Sequence, residues 1–93
     1  MIIGQFCVCR TRSAGVHMGT VMESNGTAVL LKDARRLWNW NGANTLHEVS
    51  QNGVAENSRI SQPVPCILLT KAIEVIPCSK KAEQDLTNSR WHS

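Results

Sequence analysis

Two short stretches of this chain carry side chains suited to holding an anionic, ring-bearing ligand. The first is Ala34-Arg35-Arg36-Leu37-Trp38-Asn39-Trp40-Asn41-Gly42. Side chains alternate along a strand, so Arg36, Trp38 and Trp40 are expected on one face, a guanidinium beside two indoles. A base stacks on an indole for about 1–3 kcal/mol, and Arg pairs with phosphate through two parallel hydrogen bonds. The same residues suit a plainer role, in which the indoles fill a core or a subunit interface and Arg36 stacks on one of them. The second stretch is Arg10-Thr11-Arg12-Ser13-Ala14-Gly15-Val16-His17-Met18-Gly19-Thr20. Here Arg12, the Ser13 hydroxyl and backbone N–H groups around Gly15 form a candidate anion nest. His17 is a candidate donor to a phosphate or base, a contact that would strengthen as pH falls through neutrality. The plainer reading is an ordinary strand–turn–strand with exposed basic residues, since no G-x4-G-K-[ST] loop is present.

Catalytic sets are not evident. The seven carboxylates are dispersed, and no local Ser-His-Asp or Cys-His arrangement stands out. The four cysteines are Cys7, Cys9, Cys66 and Cys78. Cys7-x-Cys9 stands alone, and His17, His47 and His92 are scattered, so a zinc site lacks its second ligand pair. Cys7 and Cys9 fall on one face of a strand, and Cys66, between Pro65 and Ile67, reads as core. Buried free thiols are expected, with no catalytic residue, no metal and no cofactor.

Length and charge narrow the classes. With 93 residues the chain is one domain, 1–93, in the range where a single core is marginal and self-association is favoured. No apolar run approaches the roughly 20 residues of a membrane span, and the first residues lack the pattern of a secretory signal. Ten Lys or Arg against seven Asp or Glu leave a net charge of +3. That suits an anionic small molecule and falls short of a dedicated DNA binder's footprint. Arg outnumbers Lys six to four, which favours bidentate phosphate contacts.

Residues 2–12 and 16–23 are strand-like, joined by Ser13-Ala14-Gly15, with Val16, Met18, Thr20 and Met22 on one face and His17 on the other. Asn25-Gly26 marks a hairpin whose return strand begins at Thr27 and continues, through a bulge or bend, to Trp40. Thr45-Leu46-His47-Glu48 is a capping box opening a helix to about Asn52, with Gly53 after it. Residues 54–62 read as irregular, and Pro63 and Pro65 exclude a central strand there. Cys66–Thr70 and Ala72–Ile76 are β-prone, and Ser79 can cap a helix from Lys80 to about Leu86. The end of the chain, 86–93, reads as a flexible tail. The fold class is α+β: a small β-rich domain of antiparallel strands with a hairpin at Asn25-Gly26 and two short helices.

Three runs, Arg10–Thr20, Ala34–Leu46 and Ile67–Cys78, resemble a family of small phage and prophage proteins described only as a domain of unknown function. The resemblance covers about Arg10 to Cys78. The chain is also similar to the phage sponge proteins that counter Thoeris defence, oligomers that bind cyclic ADP-ribose isomers, and in some cases cyclic di- or trinucleotides, without cleaving them. That likeness implies a homo-oligomer in the host cytoplasm that sequesters a cyclic nucleotide immune signal and so counters host anti-phage defence. The expected partner is an anionic nucleotide-derived small molecule, ahead of nucleic acid, with no membrane involved. The expected ligand-binding residues, taken from the physical reading, are Arg12, Ser13, Gly15, His17, Arg36, Trp38 and Trp40. The alternative is a non-enzymatic structural or protein-interaction module of a phage or prophage. An enzyme is the least favoured class.

Overall fold

Cys7, Val8 and Cys9 are fully buried in succession, which requires a strand covered on both faces. The computed structural model, which describes residues 2–40, 42–43, 45–55 and 58–88, shows how this is done. The elements run β1 (Phe6–Thr11), β2 (Val16–Asn25), β3 (Ala28–Asn39), α1 (Leu46–Asn52), β4 (Arg59–Ile60), β5 (Val64–Leu69), β6 (Ala72–Pro77) and α2 (Lys80–Asn88). The strands form one antiparallel sheet in the order β4-β3-β2-β1-β6, with β5 pairing the first half of β3. This is a small β-rich α+β fold with two helices, as the sequence led us to expect.

β5 and β6 occupy opposite edges of the path β5-β3-β2-β1-β6, yet only Thr70 and Lys71 separate them. The sheet therefore curls until its edges meet at that turn. Three hydrogen bonds tie the turn down. Arg12 N–H donates to Lys71 O at 3.0 Å, Ala72 N–H to Thr27 O at 2.9 Å and Thr27 Oγ1 to Thr70 O at 3.0 Å. The enclosed face holds Cys7, Cys9, Val21, Leu31, Ala34 and Leu69. On the other face, Val8, Val16, Met18 and Leu37 pack against Leu46 and Val49 of α1 and Leu86 of α2.

Bulges decide which side chains reach which face. Asp33 is at φ +52, and the register slips there: Met18 faces Arg35, whereas Thr20 faces Lys32. A slip of one residue exchanges the faces of everything beyond it. Val29 and Leu31 are thus followed on the enclosed side by Ala34 and Arg36, while Arg35 and Leu37 turn to the helices. A second slip sets Leu37 opposite Ile60 but Asn39 opposite Arg59, leaving Trp38 as the extra residue. Beyond it Trp40 turns to the helix-side core, whereas Trp38 stays 49% exposed. The single face expected for Arg36, Trp38 and Trp40 is therefore not formed. On β2, Val16 and Met18 share one face as expected, and it is buried, but Met22 stands at a third slip and is exposed.

The local signals held more closely. Asn25 pairs with Ala28, so the expected hairpin forms with Gly26-Thr27 as its loop, one residue later than Asn25-Gly26, and with Gly26 at φ +62. Thr45 Oγ1 accepts from Glu48 N–H at 3.3 Å, and α1 ends at Gly53. Ser79 Oγ accepts from Ala82 N–H at 3.1 Å at the start of α2. That helix runs to Asn88 with Leu86 buried; the rest of the expected tail, 89–93, lies outside the described residues. The stretch read as irregular, 54–62, contains β4, with Ile60 buried. β5 is an edge strand, as Pro65 requires. Cys66, expected in the core, is an exposed free thiol on that edge, because Ile67 and Leu69 take the inward positions.

Candidate ligand-binding cleft

His17 on β2 and Arg36 on β3 are directly opposed. Both line a surface cleft of about 390 Å³ at the mouth of the curled sheet. One wall is the β1–β2 turn, with Thr11, Ser13 and Ala14. The other is the β5–β6 turn, with Leu69, Thr70 and Lys71. Ile67 and Leu69 make the apolar lining continuous with the enclosed core.

Thr11 shapes the first wall. Its N–H and Oγ1 both donate to Gly15 O, at 2.9 and 2.8 Å, and its Oγ1 accepts from Ala14 N–H at 2.9 Å. The Ala14 amide of the expected anion nest is thus already committed. Gly15, at φ +85, closes the turn in a conformation that favours glycine. A Cβ on Gly15 would stand 3.0 Å from Arg36 Nη2, so the missing side chain leaves room for the guanidinium across the turn. The Arg36 backbone is pinned from behind, donating to Ser61 Oγ at 2.8 Å and accepting from Ser61 N–H at 2.9 Å.

His17 is buried, with Nε2 3.0 Å from Ala14 O. A carbonyl only accepts, so Nε2 carries the proton. Burial pushes the imidazole below its ordinary value of 6.5; the bond to Ala14 opposes this, and the charge of Arg36 adds to it. His17 is therefore a neutral ring at neutral pH. Its one N–H is spent on the protein, in place of the expected donation to a ligand phosphate. Arg36 and Lys71 are exposed, and neither has a carboxylate partner among the described residues. By contrast, Arg10 pairs with Glu74 at 3.3 Å on another part of the surface.

Of the residues expected to bind, the cleft brings together Ser13, His17 and Arg36, with Gly15 beside Arg36. Arg12 holds the two turns together through its backbone, and its side chain does not line the cleft. Trp38 stands outside it with Arg59 stacked 5.6 Å from its ring centroid, and Trp40 belongs to the core. Sequence reading missed Thr11, Ser61, Thr70 and Lys71. Nothing local marks Lys71, because only the curl of the sheet carries it to the cleft.

The cleft can hold an anion against a guanidinium and an ammonium beside apolar surface. Cys7, Cys9 and Cys78 do not line it, and burial pushes their thiols up to about 11, 12 and 12. Among the described residues no group of three His, Cys, Asp or Glu is placed to hold a metal ion. No helix among them is long and apolar enough to cross a membrane.

Fold and site together define a small curled antiparallel β domain with a cationic cleft at its mouth. The chain belongs to a family known as a domain of unknown function, DUF6948, whose model matches residues 4–86. No curated protein and no solved structure matches the chain.

Proposed function

We propose that the protein binds an anionic, nucleotide-derived small molecule in this cleft and holds it without chemical change. The observation that carries this reading is the pairing of Arg36 with His17 opposite Lys71, in a cleft whose lining includes no acidic side chain among the described residues. Small-molecule sites span roughly 300–1,000 Å³, and about 390 Å³ falls at the compact end. The commitment of the His17 N–H to Ala14 supports retention over turnover, since that proton is already held by the protein. With the resemblance of the three runs, this supports a phage-type sponge acting in the host cytoplasm on a cyclic ADP-ribose isomer or cyclic oligonucleotide.

A second reading is a non-enzymatic interaction module. Leu68 and Ile73, on either side of the Thr70–Lys71 turn, are each 59% exposed. Such apolar surface favours a protein contact, including the expected homo-oligomer. Incubation with a panel of cyclic nucleotides, removal of unbound material, heating and mass spectrometry separate the readings. Intact ligand released by heat supports the sponge. Degraded ligand identifies an enzyme, and no retained ligand favours the interaction module.

A further inference from the structure

We infer that His17 determines specificity in this cleft: its Nδ1 accepts a hydrogen bond from an N–H or O–H of the ligand, while Arg36 beside it takes an anionic oxygen of the same ligand. This rests on the binding reading above and narrows its ligand class.

The orientation of the ring carries the argument. With the proton on Nε2 and that N–H directed to Ala14 O, a neutral imidazole leaves Nδ1 as a bare acceptor. Among the described residues Arg35 Nη2 is the one buried side-chain nitrogen or oxygen without a partner. Nδ1 of His17 is thus not sealed in the core, and the residue that carries it lines the cleft, so Nδ1 is taken as the atom presented there. The groups around the ring keep it neutral. Arg36 faces it from β3, Lys71 stands on the opposite wall, and from β1 its direct neighbour is Cys9, a thiol held up at about 12. Among the described residues no carboxylate lines the cleft to stabilise an imidazolium.

Geometry sets what the ligand must present. Directly opposed residues on neighbouring antiparallel strands place their Cβ atoms about 4.5–5.5 Å apart. An acceptor and a guanidinium carried on such opposed positions match a hydrogen-bond donor and an anionic oxygen presented by one ligand. A nucleotide supplies this from two sources, a ribose hydroxyl beside a phosphodiester or an exocyclic base amine folded over one.

The test uses cyclic di-AMP, its 2′-deoxy analogue, and cyclic di-IMP, in which a carbonyl oxygen replaces the base amine. Calorimetric titration at pH 7.5 is expected to show the wild-type protein losing about tenfold or more in affinity for one analogue, the consequence of leaving a desolvated acceptor unpaired. The analogue that suffers identifies the source of the donor. His17→Phe is expected to bind all three alike, and His17→Asn, whose amide oxygen can take the place of Nδ1, to keep the discrimination. Equal wild-type affinity for all three overturns the inference and leaves binding in the cleft standing. Binding of none overturns both for this ligand class. Nitrogen-15 correlation spectra of the free protein's imidazole provide a ligand-independent arm: a proton on Nε2 supports the inference, and a proton on Nδ1 overturns it.

Discussion

Arg36 lies across Gly15, its Nη2 3.0 Å from the position a Cβ on Gly15 would take, and Gly15 itself holds φ +85. The turn at the end of β1 thus holds the guanidinium of β3 in the cleft. Gly15→Ala is expected to cost about 1–2 kcal/mol from backbone strain, read as a lower urea midpoint. It should also displace Arg36 and weaken binding of an anionic ligand. Gly26→Ala is the control, with φ +62 but nothing within 4 Å of a Cβ. It should share the strain and spare the binding. Equal binding in the two variants would show that Arg36 does not depend on Gly15.

Arg35, the next residue, clamps the other face of β3. Its Nε donates to Ser61 O at 2.9 Å, and its Nη1 to Leu86 O at 2.9 Å and Thr87 O at 3.2 Å. The last two are carbonyls in the final turn of α2, which have no partner within the helix. Arg35→Ala is expected to destabilise by about 3 kcal/mol, since it strips donors from three carbonyls and opens a gap under the helix. Hydrogen exchange at the amides of α2 should speed up before that of β1. A loss below about 1 kcal/mol would mean that α2 docks through Ala82 and Leu86 without this clamp.

Signals that act over a few residues were legible in the sequence. Thr45, Glu48 and Gly53 bound α1 because their bonds span only four positions, and Gly26 locates its hairpin to within a residue. The bulges at Asp33 and Trp38 were not legible, because a slip is set by register between strands distant in sequence. Missing them put Arg36, Trp38 and Trp40 together. His17 and Arg36 could each be named as candidates, but their direct opposition could not. Lys71 was hidden for the same reason, since β5 and β6 are neighbours in sequence and opposite edges in the sheet.

The two tryptophans of β3 and its end should respond differently to truncation. Trp38 is half exposed and carries one stacking contact with Arg59. Trp38→Ala is expected to cost under about 1 kcal/mol, the scale of an exposed cation–π pair. Trp40 packs on the core with Val54, and Trp40→Ala is expected to cost about 2–3 kcal/mol, somewhat less than for a fully buried aromatic. Neither change should alter affinity for an anionic ligand once the protein is folded. A fall in affinity for Trp38→Ala alone would extend the binding surface from the cleft along β3.

His17 links both stability and binding to pH. Its folded pKa lies below the ordinary 6.5, through burial first and Arg36 in addition, with the bond to Ala14 opposing. Between the folded value and 6.5 the unfolded chain binds more protons than the folded one, so stability rises with pH across that window. The contribution is fully present above 6.5 and is lost as pH falls through the window. The urea midpoint of the wild-type protein is expected to drop between pH 7.5 and pH 5.5, and by less in His17→Asn. Binding follows the same proton. An imidazolium has no free lone pair at Nδ1, so affinity for a ligand that donates there should fall on acidification. Raised salt should weaken binding at either pH, because the charges of Arg36 and Lys71 are exposed and screened over about 8–10 Å. Titrations of cyclic di-AMP at two pH values and two salt concentrations separate these effects. Affinity that rises as the pH drops would instead place a protonated His17 against the ligand's anionic group.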